Sequence, residues 1–327
     1  MTAPRIILCP GQGAQAVAMA KPWHDASAEA RSVFALADRL LGSRLGAPLS
    51  ELCFSGSPER LNQTDVSQPA IYVASIACWR GLLAQWGAGA DRAVEEARIM
   101  AAAGLSLGEY TALHLAGAFT FEEGLELVAL RGRAMQDAAA LTPSGMVALI
   151  GADEGQAQAV CDAARGAGGE VLVCANFNAP GQVVLSGSKA ACERAVEEAG
   201  KAGLRAAPLA VAGAFHSPLM APAADRLGEA LARTSIRAPR CPVLSNVTGD
   251  PHASSALGSI EQTIRTRLVE QLTSAVRWSQ NCQWLVRTAA GSAAEFHELA
   301  PGKTLAGLMK RIDRGTKVTT HEEPAAS

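Results

Sequence analysis

The most constraining feature of this sequence is the five-residue stretch Gly104-Leu105-Ser106-Leu107-Gly108. It follows a short apolar run, Ile99 to Ala103, and precedes a segment with a helical pattern that begins at Glu109. Strand, G-x-S-x-G and helix in this order are typical of a nucleophile elbow, a sharp turn that holds a serine Oγ exposed. The chain has 31 glycines among 327 residues, so the motif alone leaves serine catalysis and an ordinary tight turn open.

The N-terminal half has the pattern of a parallel α/β domain. A buried strand is predicted at Arg5–Cys9, and the glycine-rich turn Pro10-Gly11-Gln12-Gly13 ends it. Helical patterns follow, with an interruption expected at Gln68-Pro69. A strong helix is predicted from Thr120 to Ala140, because Thr120 and Glu123 have the spacing of a capping box.

Residues 142–211 have a β-α-β-β-α-β pattern, which is typical of a ferredoxin-like unit. We therefore predict an α/β fold: a large α/β-hydrolase-like domain with a parallel sheet core, and an inserted small ferredoxin-like α+β subdomain. The large domain is assigned residues 1–141 and 212–327, and the subdomain 142–211. After the subdomain we expect helices near 218–233, 259–272 and 278–290, strands at 242–246 and near 294–299, and a frayed tail after Arg314.

Composition and charge exclude several classes of protein. Hydrophobic residues make up 49% of the chain and the formal net charge is −2, so neither disorder nor general attraction to nucleic acid or anionic membranes is expected. No segment has the ~20 apolar residues of a membrane span. The eight cysteines include no C-x-x-C pair, which favours free thiols over disulfides or a metal site. We expect a cytoplasmic monomer.

A catalytic serine needs a base, and six histidines are available. His216 is the best candidate by position, because it lies in a loop that leaves the predicted subdomain, just before Pro218. A hydrogen-bonded loop histidine without a catalytic role is the alternative interpretation.

A set of short motifs occurs in order along the chain: Pro10-Gly11-Gln12-Gly13-Ala14-Gln15, Gln68-Pro69-Ala70, Gly104 to Tyr110, Arg131-Gly132-Arg133-Ala134-Met135, Asn178 to Val184, Phe215-His216-Ser217-Pro218-Leu219-Met220, Gln271 with Val276-Arg277-Trp278, and Pro301-Gly302-Lys303-Thr304-Leu305. Through this ordered set the sequence resembles the malonyl-CoA:acyl-carrier-protein transacylases and the acyltransferase domains of fatty-acid and polyketide synthases. The resemblance covers about residues 5–313.

The resemblance implies roles for particular residues. Ser106 would be the acyl-carrying nucleophile and His216 its general base. The backbone N–H groups of Gln12 and Leu107 would form the oxyanion hole, and the backbone carbonyl of Gln271 would orient the imidazole, so that no triad aspartate is required. No permanently bound cofactor and no metal are implied, because malonyl-CoA is the substrate. The turn G-Q-G-A-Q also lacks the third glycine of a dinucleotide loop.

Selectivity would depend on Arg131, whose guanidinium could bind the free carboxylate of a malonyl group through two parallel hydrogen bonds. Without the resemblance, a surface charge on an amphipathic helix would be the favoured interpretation of Arg131. Two positions differ from many members of the family: Leu105 stands where many have His, and Gly213 stands where many malonyl-selective members have His. Phe215 is retained, and its ring would crowd the methyl branch of a methylmalonyl group.

The implied activity is transfer of a malonyl group from malonyl-CoA to the phosphopantetheine thiol of an acyl carrier protein, in fatty-acid or polyketide biosynthesis. The resemblance thus implies two partners, a coenzyme A thioester and a carrier protein. An acidic carrier could dock on a face containing Lys303, Lys310, Arg311 and Arg314. Two alternatives stay open: an acyl-thioester hydrolase that uses the same serine and histidine, and a non-catalytic scaffold that binds carriers.

Overall fold

The computed structural model describes residues 3–87, 92–166 and 170–325. The chain divides into two compact units. Unit 1 takes its described residues from 1–132, 234–244 and 284–327, and unit 2 from 133–233 and 245–283. The predicted large domain and inserted subdomain, with their boundaries at 141 and 212, stay a prediction.

Unit 1 is built on a sheet of parallel strands in the order β2-β1-β7-β8. The strands are β1 (Arg5–Cys9), β2 (Ile99–Gly104), β7 (Glu295–Leu299) and β8 (Val318–His321). Every residue of β1 is buried, as the run of isoleucine and leucine predicts for a strand covered on both faces. The strands predicted at Arg5–Cys9 and at Ile99–Ala103 are both present, which gives the parallel sheet of the predicted α/β fold.

Helices before and between these strands complete unit 1. They are α1 (Lys21–Ala26), α2 (Ala28–Leu41), α3 (Leu49–Phe54), α4 (Pro58–Leu61), α5 (Thr64–Gln85), α6 (Arg92–Glu96), α7 (Gly108–Leu115), the first part of α8 (Phe121–Leu141), the last part of α13 (Trp278–Ala289) and α14 (Thr304–Ile312). The start of α8 has the predicted capping box: Thr120 N–H donates to Glu123 Oε2 at 2.7 Å, and Glu123 N–H donates to Thr120 Oγ at 3.1 Å.

The expected interruption at Gln68-Pro69 is wrong. Helix α5 continues through Pro69, which is the sixth residue of the helix. A proline this close to a helix start removes one backbone hydrogen bond, and the rest of the ladder continues. Because almost all of α5 is buried, packing stabilises the helix in spite of that loss.

The C-terminal segment also differs from its prediction. Instead of fraying after Arg314, the chain forms β8, which pairs in parallel with β7 from Phe296↔Val318 to Leu299↔His321. Trp23 Nε1 donates to His321 O at 2.8 Å and fixes the end of the strand. A short polar sequence is therefore ordered here because it adds an edge strand to an existing sheet.

Unit 2 contains the predicted β-α-β-β-α-β run, formed by β3 (Ser144–Ile150), α9 (Glu154–Ala164), β4 (Leu172–Ala179), β5 (Gln182–Ser188), α10 (Lys189–Lys201) and β6 (Arg205–Pro208). The sheet is antiparallel, in the order β4-β5-β3-β6. This is the ferredoxin-like arrangement that the sequence predicts. The unit also includes α11 (Ala221–Arg233) and α12 (Ile260–Glu270).

The predicted strand at 242–246 is reduced to a single parallel bridge between Ala102 and Val243. The chain leaves the sheet directly afterwards, because Ser245 N–H turns back to Asp250 O at 2.9 Å. All eight cysteines are free thiols in the structure. Among the residues that the structure describes, no helix is long and apolar enough to cross a membrane.

Candidate active site

Ser106 lies on a strained turn between β2 and α7. Its φ angle is +51°, in the left-handed region that residues other than glycine rarely adopt. Leu105 and Ser106 are half-buried, whereas the residues on either side of them are buried. Strain that persists in one residue of a well-packed turn is characteristic of functional positions, and here it exposes the serine hydroxyl.

The two glycines of the motif permit this turn because no side chain fits at either position. A Cβ on Gly104 would lie 1.8 Å from the carbonyl carbon of Gly108, and a Cβ on Gly108 would lie 2.1 Å from Cys9 O. The strand, the turn and the first turn of α7 are thus packed backbone against backbone. The elbow geometry predicted from G-x-S-x-G is present.

Two backbone N–H groups are available near the elbow for an oxyanion. In the part of the chain that the structure describes, neither Gln12 N–H nor Leu107 N–H donates to a protein acceptor. Leu107 directly precedes α7, and the turn that contains Gln12 follows β1. Leu105 N–H donates to Cys9 O at 3.1 Å, which ties the elbow to the end of β1. The side chain of Gln12 is held by Thr64, with Nε2 3.3 Å from Oγ1.

Arg131 reaches Ser106 from helix α8. Its Nη2 donates to Ser106 Oγ at 3.0 Å, and its Nη1 donates to Gln68 Oε1 at 2.7 Å. Arg131 is only 1% exposed, and its Cζ lies 5.5 Å from the centroid of the Tyr110 ring. Burial lowers the pKa of the guanidinium, while Tyr110 and Glu109 raise it. Arginine stays charged even so, which leaves a buried cation beside the Ser106 hydroxyl.

Close packing of α8 on α5 places Arg131 next to Gln68. At Gly132, a Cβ would lie 2.6 Å from Thr64 O. Arg133, two residues after Arg131, has a side chain that is 62% exposed and pairs with Asp137 at 2.9 Å. The two arginines therefore point in different directions, as helical geometry requires for positions two apart.

Unit 2 holds the candidate base. His216 is 4% exposed and has a φ angle of +56°, so it is a second residue in the left-handed region. Its Nδ1 lies 2.7 Å from Gln271 O. A carbonyl oxygen only accepts, so Nδ1 carries the proton and Nε2 has the lone pair that a general base uses.

The loop that carries His216 is fixed to the antiparallel sheet by two serines. Ser186 Oγ on β5 donates to Phe215 O at 2.6 Å, and Ala214 N–H donates to Ser144 Oγ at 3.2 Å. Ser217 Oγ donates to Ala214 O at 2.7 Å and accepts from Leu219 N–H at 3.3 Å. The imidazole is thus held by the fold of unit 2 itself.

The structure accordingly groups the predicted site residues within each unit. Ser106, Leu107, Gln12 and Arg131 belong to unit 1, and His216 with Gln271 belongs to unit 2. The catalytic roles assigned to them stay predictions. No group of His, Cys, Asp and Glu with metal-binding geometry occurs in the residues that the structure describes.

Comparison with known proteins identifies the family. The sequence profile described as the acyl transferase domain matches residues 6–310, which is most of the chain. The protein belongs to the acyl transferase family. As a member it is an acyltransferase, and serine is one of the residue types that can carry a covalent intermediate.

Relatives of this acyltransferase are similar over nearly their whole length. The malonyl CoA-acyl carrier protein transacylase of Salmonella typhimurium is 38% identical over 318 residues, covering 97% of this chain and 95% of the relative. The structure of the malonyl-CoA:acyl carrier protein transacylase from Xanthomonas oryzae is 38% identical, with a TM-score of 0.86 and coverage of 99% and 96%. A malonyl-transacylase solved in complex with a type II polyketide synthase acyl-carrier protein is 35% identical, with a TM-score of 0.85 and coverage of 99% and 97%.

Sequence reasoning assigned no role to three residues that support the acyltransferase site. Gln68 accepts a hydrogen bond from Arg131, Tyr110 packs its ring against Arg131, and Ser186 holds the loop before His216. A glutamine inside the apolar pattern of α5 was the available signal for Gln68. Tyr110 and Ser186 gave none, because a tyrosine on a helix and a serine on a strand are ordinary residues there.

Proposed function

We propose that this acyltransferase transfers a malonyl group from malonyl-CoA to the phosphopantetheine thiol of an acyl carrier protein, through an ester on Ser106. The observation that carries the proposal is the buried guanidinium of Arg131, with Nη2 3.0 Å from Ser106 Oγ. An acyl group on that oxygen places its far end close to a fixed cation. Malonyl has a carboxylate at that end, whereas acetyl has a methyl group.

In the first half-reaction His216 Nε2 takes the proton of Ser106, and Oγ attacks the thioester carbonyl carbon of malonyl-CoA. The oxyanion of the tetrahedral intermediate accepts hydrogen bonds from Gln12 N–H and Leu107 N–H. The C–S bond then breaks, and His216 returns the proton to the departing thiolate of coenzyme A. The hydrogen bond to Gln271 O stabilises the imidazolium in place of a carboxylate.

In the second half-reaction the carrier thiol gives its proton to His216 Nε2, and its sulfur attacks the ester carbonyl on Ser106. The same amides hold the second oxyanion. The C–Oγ bond breaks, the serine regains its proton from His216, and the malonyl group leaves on the carrier. One base and one pair of amide donors thus serve both halves of a ping-pong reaction.

Selectivity follows from the acceptor that a malonyl group offers Arg131 and an acetyl group does not. A bidentate arginine–carboxylate pair provides strong, directional hydrogen bonds. An acetyl group has a methyl in place of the carboxylate and forgoes a charge-assisted hydrogen bond of about 1.5–3 kcal/mol. We therefore expect malonyl-CoA to be preferred over acetyl-CoA by ~10²-fold or more.

An acyl carrier protein and a coenzyme A thioester are the proposed partners. One solved relative is a malonyl-transacylase in complex with an acyl-carrier protein. On this chain, Lys303, Lys310, Arg311 and Arg314 are exposed around helix α14, which suits a carrier with an acidic surface. We further propose that the enzyme acts as a cytoplasmic monomer and needs no bound cofactor.

Hydrolysis of acyl thioesters by the same serine and histidine is the alternative activity. The carboxylate-binding arginine supports transfer, because a hydrolase that removes acyl groups from carriers has less need to select a malonyl group. A scaffold without catalysis is the other alternative, and the strained Ser106 argues against it, since strain without function is not expected to persist.

Competition between acyl donors tests the proposal. Equal amounts of malonyl-, methylmalonyl- and acetyl-CoA are mixed with the enzyme and a phosphopantetheinylated carrier protein, and the loaded carrier is separated by mass. The proposal predicts carrier loaded with malonyl as the main product. Release of free malonate with no carrier loading would favour the hydrolase, and no turnover of any donor would favour the scaffold.

A further inference from the structure

Two thiols outside the proposed active site lie side by side in unit 2. Cys161, in the second half of α9, and Cys174, on β4, place their Sγ atoms 3.8 Å apart. Cys161 is one of the buried residues of α9, whereas Cys174 is half-buried and therefore reachable by a small reagent. The chain thus has a reduced pair at the separation from which a disulfide can form.

The surroundings of the pair favour reaction at Cys174. The hydrogen bond from the Cys161 thiol lowers the pKa of Cys174, and burial acts in the opposite direction. Asp162 and Glu154 oppose the thiolate, while the guanidinium of Arg165 favours it. By contrast, burial raises the pKa of Cys241, the other half-buried cysteine, to about 11. Thiolate character and access together determine which cysteines are oxidised.

Strand β4 can supply the movement that a disulfide requires. The S–S bond is about 2.05 Å long, so the sulfur atoms must approach by about 1.8 Å. β4 is an edge strand of its sheet, and its pairing with β5 shifts register between Cys174 and Asn176. Among the described residues, the backbone pairing on its other side is the single bridge between Asn176 and Val276, so β4 is held less firmly than a central strand and bends more easily.

We propose that Cys174 and Cys161 form a modification site for peroxides, at which oxidation produces a reversible intramolecular disulfide. The Cys174 thiolate attacks one oxygen of the peroxide, the O–O bond breaks, and the departing oxygen takes a proton to leave as water or an alcohol. Cys161 then attacks the resulting sulfenic acid, an S–S bond forms, and the S–O bond breaks with loss of water. The two thiols lose two electrons and the peroxide gains them.

The position of this thiol pair links it to the residue that orients His216. Val276 N–H donates to Ala175 O at 2.8 Å, and Phe177 N–H donates to Val276 O at 2.9 Å, so β4 holds Val276 next to Cys174. Val276 lies five residues after Gln271, whose carbonyl accepts from His216. A shift of about 1 Å in a catalytic group can cost up to ~10²-fold in rate. The disulfide is therefore expected to slow transfer, a consequence that rests on the proposed function.

Hydrogen peroxide and thiol counting test the proposal. The full-length enzyme is reduced, freed of reductant, treated with peroxide, denatured and alkylated, and its mass is measured. The expected product has two fewer alkylated thiols, a cross-linked peptide containing Cys161 and Cys174, and full recovery of alkylation after dithiothreitol. Activity is measured in parallel, and a reversible loss of about tenfold is expected.

Three variants identify the site. Cys241→Ser is the matched control, because it removes the other half-buried thiol, and it should cross-link like the wild type. Cys161→Ala should stop at a sulfenic acid on Cys174 that dimedone traps. Cys174→Ser should form neither the cross-link nor the sulfenic acid. A wild-type protein that keeps all eight thiols alkylatable, or that cross-links other cysteines, would overturn the site. A cross-link between Cys161 and Cys174 with unchanged activity would overturn the link to His216 and leave the proposed function intact.

Discussion

Arg131 is the residue whose surroundings say most about the substrate. A fully charged side chain at 1% exposure is expensive to bury, and the fold holds this one with Nη2 3.0 Å from Ser106 Oγ and Nη1 2.7 Å from Gln68 Oε1. The fold therefore maintains a cation beside the serine hydroxyl. A carboxylate on an acyl group carried by Ser106 would lie within reach of this guanidinium, which is why we associate the site with a dicarboxylic acyl group.

Replacing Arg131 by Ala should reverse this preference. The expected result is a fall of ~10²–10³-fold in kcat/KM for malonyl-CoA, with acetyl-CoA affected much less, since only malonyl loses a charge-assisted pair. Steady-state kinetics with both donors measure the ratio of kcat/KM for malonyl-CoA to kcat/KM for acetyl-CoA. Arg133→Ala is the matched control, because Arg133 lies two residues away on α8 and its side chain is 62% exposed. Equal losses with both donors in the Arg131 variant would contradict the assigned role.

At the scale of elements, the elbow works because strand and helix meet without side chains. Gly104→Ala would place a Cβ 1.8 Å from backbone atoms of Gly108, so strand and turn must separate. We expect the free energy of unfolding to fall by several kcal/mol, about 3 or more, and adduct formation at Ser106 to be lost. Urea denaturation measures the free energy of unfolding, and intact mass detects the adduct. Gly200→Ala in α10, where nothing lies within 4 Å of the added Cβ, should leave stability the same or slightly higher.

A second prediction at this scale concerns the edge strand β8. His297 Nδ1 lies 3.0 Å from His321 Nε2, and their rings stack with centroids 5.2 Å apart. Such a hydrogen bond needs one protonated and one unprotonated nitrogen. Burial is the main cause that lowers the pKa of each ring to about 4. The charge of nearby Arg5 also lowers the pKa of His297, and His297 also lowers the pKa of His321. Glu295 Oε2, 3.6 Å from His297 Nε2, is the nearby acid.

Because the pKa of each histidine is about 4 in the folded chain and 6.5 in the unfolded chain, the unfolded chain binds more protons between pH 4 and 6.5. The histidine contribution to stability is thus fully present above pH 6.5 and is lost as the pH falls toward 4. The midpoint of thermal unfolding should decrease over that interval, and His321→Gln should show a smaller decrease. Scanning calorimetry at several pH values measures the unfolding midpoint of both proteins. The same slope in both proteins would show that the pair does not titrate with folding.

At the scale of the whole molecule, the sequence predicted what depends on short-range patterns. The elbow at Ser106, the buried strand at Arg5–Cys9, the Thr120 capping box and the ferredoxin-like run all follow from local periodicity and turn chemistry. The order of motifs along the chain predicted the family, which the match over residues 6–310 confirms.

The missed features are those that depend on distant partners. β8 is polar and short, and its stability comes from pairing with β7, which no local pattern encodes. Gln271 acts through a backbone carbonyl 55 residues from His216, so its side chain carries no signal for that contact. Gln68 meets Arg131 across 63 residues. Only the fold brings these residues together, and only the resemblance suggested Gln271.

In the proposed reaction, Ser106 carries a malonyl group between the two half-reactions. The most direct measurement is the intact mass of the enzyme, mixed with malonyl-CoA in the absence of carrier protein and quenched in acid. We expect a mass increase of one malonyl group, located on Ser106 by peptide mapping, discharged when carrier protein is added, and absent from Ser106→Ala. An unmodified wild-type protein that still loads the carrier, or a malonyl adduct that persists in Ser106→Ala, would contradict it.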